Sequence, residues 1–128
     1  MGYAGGMPFG PDELALLREA EEIEIETARR GGSAHRTIIW VVVDGDDVFV
    51  RSVNGAAARW YREAIANPSV TIHVDGDALA ARTAPAADRE SIRRTSDELA
   101  RKYARHGASL RSMLVPEILD TTLRVVPA

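Results

Sequence analysis

The chain has 128 residues, which fits one domain, and its 45% hydrophobic and 27% charged content is that of a globular protein with a single core. A net charge of −3 argues against general nucleic-acid binding through phosphate neutralisation. The lack of any cysteine excludes disulfides, thiol catalysis and cysteine-ligated metal or iron–sulfur centres.

The first ten residues, MGYAGGMPFG, contain no basic segment followed by an apolar one, so they do not read as a secretory signal. Their glycines predict a flexible lead-in to a single domain over 11–128. The longest apolar run, Ile38–Val43, holds six residues, far short of the ~18 that a membrane helix needs. We expect a cytoplasmic protein.

Pro11 and Asp12 open a short amphipathic helix that the spacing carries to about Glu22. IEIETAR (23–29) then alternates with the period of a half-buried strand. After the Gly31-Gly32-Ser33 loop, RTIIWVVV (36–43) is nearly continuously apolar and predicts one strand covered on both faces. DGDD (44–47) predicts a hairpin turn, with Asp-Gly in the positive-φ geometry of type I′. VFVRSV (48–53) is the return strand.

A helix is predicted over 56–66, with Ala57, Trp60, Tyr61, Ala64 and Ile65 on one stripe, and Asn67-Pro68 ends it. VTIHV (70–74), a DGD turn (75–77) and ALAARTA (78–84) form a second hairpin. The longest helix is predicted from Ala87 to His106, with Gly107 as the residue after its C-terminus. A short helical piece over 110–114 and a last strand, TTLRVVP (121–127), follow. Six short strands joined mostly by tight turns predict an α+β fold, mainly β: a small antiparallel closed barrel with flanking helices.

RSVNGAAARWYREA (51–64) carries the chemistry. It places Arg51 and Ser52 at the end of a strand, a glycine loop after them, and Arg59 in the first turn of a helix. Free N–H groups and the helix dipole there favour an anion, and small residues allow it to approach the backbone. Two arginines would add charge-assisted bonds of about 1.5–3 kcal/mol each, against about 0.3–1 kcal/mol from the dipole. The same residues also fit a solvated face with ordinary ion pairs, and the local pattern leaves both readings open.

The stretch RTIIWVVVDGDDVFVRSVNGAAARWYREAIANPSVTIHVDGD resembles the split β-barrel oxidoreductases, the superfamily of pyridoxamine-phosphate oxidases and deazaflavin-dependent nitroreductases. The shared order is Arg36-Thr37, Asp44-Gly45-Asp46, Ser52, Gly55, Trp60-Tyr61 and Ala66-Asn67-Pro68. Over roughly residues 12–127, with IEIET near the start and TTLRVVP at the end, the chain is similar to an uncharacterised bacterial family within that superfamily. The resemblance implies a six-stranded split barrel acting as a homodimer, with FMN or an 8-hydroxy-5-deazaflavin coenzyme in a groove at the interface. It implies Arg36, Thr37 and Ile38 at the ring edge, and Arg51, Ser52, Asn54, Gly55, Ala56 and Arg59 on the phosphate side. It implies hydride transfer to or from a small organic substrate. The chain departs from the nitroreductase pattern in having Ile38-Ile39-Trp40 where a Pro-Leu is usual, and no lysine before Lys102.

Other motifs carry less. Trp60 and Tyr61 lie on an apolar stripe, as core or interface residues, and Trp40 sits in an apolar strand. His35, His73 and His106 fit no metal-ligand spacing; His35, just before the ring-edge position, is the one to follow. DGDD lacks the later residues of a calcium loop. No GxSxG elbow or carboxylate pair appears. The basic residues around Lys102 complement a helix C-terminus, or meet a partner's phosphate. With no side-chain catalyst, the residues suit a protein whose cofactor carries the chemistry, and equally a non-catalytic barrel that binds another anionic molecule or none.

Overall fold

The computed structural model describes residues 7–128; the first six residues of the expected lead-in lie outside the described residues. Seven strands form one antiparallel sheet: β1 (Ile23–Ala28), β2 (Ala34–Ile39), β3 (Val42–Asp44), β4 (Asp47–Val50), β5 (Ser69–Val74), β6 (Asp77–Pro85) and β7 (Leu123–Pro127). Four helices flank it: α1 (Pro11–Glu19), α2 (Arg59–Ala66), α3 (Arg89–Lys102) and α4 (Gly107–Met113).

The seventh strand arises because the run expected as one strand over 36–43 is two. Their places in the sheet determine its shape. The spatial order is β2-β1-β5-β6-β7-β4-β3, so β2 and β3 are the two outer edges. Yet only Trp40 and Val41 separate them in the chain. A flat sheet of this order would set its edges about 29 Å apart, six spacings of about 4.8 Å. The three virtual bonds from Ile39 to Val42 reach about 11 Å at most. The sheet must therefore curl until its edges nearly meet, which makes it a split barrel.

A chain that leaves one edge and joins the other gives up ladder bonds, and a buried peptide group without partners is costly. Val41, 1% exposed, faces that problem. Its N–H donates to the Tyr103 hydroxyl at 3.2 Å, and its carbonyl accepts from Lys102 Nζ at 2.7 Å. The Tyr103 O–H in turn donates to the Glu21 carbonyl (2.8 Å), and Lys102 also reaches the Leu17 carbonyl (3.1 Å). Trp40 stacks on the Tyr103 ring, centroids 3.9 Å apart and planes 2° from parallel. The C-terminal end of α3 thus holds the crossing between the edges, a role beyond the dipole complement expected of Lys102.

The interior is filled by alternate strand residues such as Ile25, Val43, Val48 and Ile72, with Leu14 and Leu17 of α1 and Trp60 and Ala64 of α2. Phe9 belongs to this core at 4% exposure, so order begins within the expected lead-in. A second cluster, with Val42, Phe49, Leu99 and Tyr103, packs α3 on the outer face of β3–β4. The strand pair explains the division: Val42 faces Phe49 across the ladder, while Val43 faces Val48 on the other side.

Several boundaries shift. The helix α1 ends at Glu19, and α3 starts at Arg89 behind the Asp88 cap, whose carboxylate accepts from the Ser91 N–H at 3.0 Å. Gly107, at φ 37°, begins α4 instead of following α3 directly, and the segment before β7 is a 3-10 turn over Pro116–Thr121. The type I′ pattern, two consecutive positive φ angles, occurs at Asp75 and Gly76. In the 44–47 turn only Gly45 has positive φ, which is the II′ pattern. Asp44 and Asp47 of that turn pair with Arg94 of α3 at 2.5 and 2.9 Å. No described helix is long and apolar enough to cross a membrane.

Burial lowers the Lys102 ammonium to about 8 from 10.5. The unfolded chain therefore binds more protons than the folded one between those values, and stability is expected to rise with pH from about 8 to about 10. Thermal unfolding across this range should show the rise in the native chain and a flatter profile in K102M; equal slopes would contradict the assignment. Tyr103→Phe, which strips the Val41 N–H of its acceptor, should cost about 1–3 kcal/mol in urea unfolding.

Candidate functional site

Where the barrel is split, a cleft of about 330 Å³ opens. One wall is β2, with Thr37, Ile38 and Ile39, continuing into Trp40; the other is the chain leaving β4, with Arg51, Val53 and Asn54. Ser109, Ser112 and Met113 of α4, together with Glu22 and Trp60, complete it. As an edge strand, β2 pairs only with β1, so alternate N–H and C=O groups on its other side have no ladder partner.

Arg51 is the central residue of this wall. It is 2% exposed, and no acidic side chain pairs with it. Nε donates to Thr122 Oγ1 (2.8 Å), Nη1 to Ser96 Oγ and the Met113 carbonyl (both 3.0 Å), and Nη2 to the Ile92 carbonyl (3.1 Å). One guanidinium thus ties the end of β4 to α3, to α4 and to the start of β7. Desolvation without a counter-charge brings its pKa down to about 10.

The turn after it is built from backbone bonds. The Gly55 N–H donates to the Ser52 carbonyl (3.0 Å), the Ser52 hydroxyl donates to the Gly55 carbonyl (2.7 Å), and the Ser52 N–H donates to Thr121 Oγ1 (3.1 Å). Gly55 has φ 64°, which L side chains rarely adopt. A Cβ there would stand 3.4 Å from Ile118 Cγ2. Both residues are buried, so their glycine and serine character is explained by the turn itself. A 3-10 turn over Gly55–Ala57 follows, and α2 starts only at Arg59.

Of the nine residues expected at the site, the cleft brings together Thr37, Ile38, Arg51 and Asn54. Ser52 and Gly55 lie behind its wall as scaffold, and Ala56 is exposed on the turn. Arg36 is on the exposed face of β2, 3.6 and 3.5 Å from Glu24 and Glu26. Arg59 lines a different cavity, with His35 and Glu63. Trp60 is both core, at 5% exposure, and cleft wall. Glu22 and the α4 residues were not anticipated. The i, i+3 spacing of Ser109 and Ser112 puts both hydroxyls on one helix face, but nothing local says what that face meets. The side chains of Thr37, Asn54 and Ser109 make no hydrogen bond among the described residues.

Arg51→Ala would remove the donor shared by two hydroxyls and two carbonyls and leave a cavity between β4, α3 and α4. It is expected to lower stability by about 2–4 kcal/mol, read from the urea midpoint, with Arg51→Lys recovering less than half because an ammonium cannot span all four acceptors.

Comparison with known proteins agrees with this architecture. HutZ, the heme storage protein from Vibrio cholerae, superposes with a TM-score of 0.66 at 18% identity, over 95% of this chain and 92% of that one. A protein from Listeria innocua assigned as a pyridoxamine 5'-phosphate oxidase gives 0.66 at 15% identity, covering 91% and 90%. FDR-A, an F420-H2 dependent reductase, gives 0.61 at 13% identity, covering 82% and 93%. At these identities the likeness is one of fold, the split barrel of the pyridoxamine-phosphate-oxidase type. No curated protein matches the sequence. A family model does, over residues 13–125, and the chain belongs to that family, DUF2255, described as an uncharacterized protein conserved in bacteria.

Proposed function

We propose that the cleft holds a planar, anionic redox cofactor, FMN or the 8-hydroxy-5-deazaflavin coenzyme, and that the protein is an oxidoreductase acting on a small organic substrate. The observation that carries this reading is the Arg51 charge, which no carboxylate balances among the described residues, behind a wall on which the Thr37, Asn54 and Ser109 side chains make no hydrogen bond among the described residues. Such a site is complementary to an anion with hydroxyl or phosphate oxygens. When bound, the cofactor supplies two-electron hydride chemistry. The protein's part is to position it: Asn54 and Ser109 bond its polar chain, Arg51 offsets its charge, Trp40 offers an aromatic face, and free N–H groups of β2 meet the ring edge.

The fold likeness to HutZ raises haem as another occupant. The cleft wall contains no histidine, which disfavours an iron ligated there in the way imidazole provides. A cofactor-free barrel that takes another anionic molecule is the remaining alternative.

We further propose a homodimer. Ile38 and Val53, 60% and 49% exposed, flank the cleft, and a second copy would cover them. One of the similar structures is a domain-swapped dimer.

Visible absorption of the freshly purified protein, followed by titration with each cofactor, tests the reading. Saturable fluorescence quenching with Kd below about 100 µM is expected for at least one of them, about −5.5 kcal/mol. Asn54→Ala and Thr37→Val should each weaken it about fivefold to tenfold without a change in melting temperature. No saturation with either cofactor at that concentration would sink the proposal.

A further inference from the structure

Lys102 is the only lysine of the chain. A guanidinium can bridge carbonyls as an ammonium does, but only the amine can lose its proton near neutral pH and become a nucleophile. Lys102 also lines a cavity of about 230 Å³ that shares no lining residue with the cleft. Glu98, Arg101 and Lys102 come from α3 at i, i+3 and i+4, which places them on a single face. Arg18, in the last turn of α1, and Val43 of β3 complete the lining.

An ammonium has three N–H groups. Two are fixed, on the Val41 carbonyl at 2.7 Å and the Leu17 carbonyl at 3.1 Å. The third has no partner among the described residues, and no carboxylate there pairs with Lys102. Loss of that third proton therefore leaves both bonds made and frees a lone pair. The surroundings favour the loss. The residue is half-buried, and this burial outweighs the charge of Glu21 to bring the ammonium down to about 8.

The charges around it point to an anionic ligand. Arg101 is paired with Glu98 on its own helix. Arg18 faces the cavity from α1, donates to the Gly45 carbonyl at 2.5 Å and forms no salt bridge among the described residues. With Glu98 answered by Arg101, the charge of Arg18 remains for a carboxylate, which a guanidinium fork suits.

We propose that Lys102 is a nucleophilic lysine that takes an α-oxo carboxylate as an imine, with the ligand's carboxylate on Arg18. The ammonium first gives its free proton to solvent. The amine adds to the ligand's carbonyl carbon, a C–N bond forms, and the carbonyl oxygen leaves as water, with no net oxidation or reduction. The protonated imine keeps one N–H. That group stays on the buried Val41 carbonyl, the shorter of the two bonds, and the bond to Leu17 is given up. The crossing between β2 and β3 thus keeps its anchor. The inference does not depend on what the cleft binds.

Trapping with glyoxylate tests it. The full chain is incubated with glyoxylate and cyanoborohydride at about pH 7.5, and the label is located by peptide mass spectrometry. Labelling of Lys102 should saturate with glyoxylate and run about tenfold or more faster than that of Nα-acetyl-lysine amide, whose amine keeps the ordinary pKa of about 10.4. Glycolaldehyde, uncharged and of similar size, should label Lys102 about fivefold more slowly, each rate being divided by that of the model amine. R18A should remove most of this preference and leave the melting temperature unchanged, since Arg18 is exposed. K102R should take no label at position 102. Labelling no faster than the model amine would overturn the inference, as would equal normalised rates for the two aldehydes in the native chain, or a preference for glyoxylate that R18A leaves intact.

Discussion

The peptide of Val41 is the point on which the rest of the structure depends. Two residues join the strands at opposite edges of a seven-stranded sheet, so the sheet can exist only if it curls. Curling takes the Val41 N–H and C=O out of any ladder and buries them. Tyr103 and Lys102 answer both groups from the end of α3. The hydroxyl accepts from the N–H and donates to the Glu21 backbone carbonyl, while the ammonium donates to the Val41 carbonyl. Buried hydrogen bonds of this kind contribute about 1 kcal/mol each when made and cost more when one partner is missing. The crossing is thus held by specific side chains as well as by apolar burial.

The second consequence of the split is the cleft. An edge strand with unpaired backbone groups invites association with other chains unless something covers it. Here α4 and the corner after β4 stand across from β2, and on the gap between them the Thr37, Asn54 and Ser109 side chains make no hydrogen bond among the described residues. Arg51 makes this corner rigid. Its four bonds converge from three other segments, and its charge has no carboxylate to balance it. A buried cation without a counter-charge carries a desolvation cost, which these four hydrogen bonds offset.

The cleft and the Arg59 cavity divide residues that stand close together in the chain. Arg51 and Asn54 face one, and Arg59 and Arg62 the other, although only a few positions separate them. The 3-10 turn over Gly55–Ala57 and the late start of α2 rotate the helix so that its polar stripe turns toward the β1–β2 hairpin. What looks in sequence like one basic corner is in space two walls with different partners. One holds a buried guanidinium among neutral acceptors, and the other holds exposed guanidiniums around a buried carboxylate.

By itself the sequence determined most of the elements and the two hairpins closed by Asp-Gly turns. Alternation in IEIET, the Asp-Gly turns and the Asn-Pro stop are local signals and were legible; of the stripe expected on α2 only Trp60 and Ala64 are buried, while Ile65 is exposed and Glu63 is buried by its bond to Thr27. The strand–turn–helix pattern and the family resemblance singled out Thr37, Ile38, Arg51 and Asn54, which the fold brings together as cleft lining. Tertiary structure alone decided the break at Trp40–Val41, because a continuous apolar run reads the same whether one strand or two edge strands use it. It alone decided the burial of Arg51, whose acceptors lie 41 to 71 positions away. It also placed α4 on the cleft and Arg59 outside it, since a helix face carries no record of what it will meet. Periodicity is a property of neighbouring residues, whereas closure, charge balance and cavities depend on groups that meet only when the chain has folded.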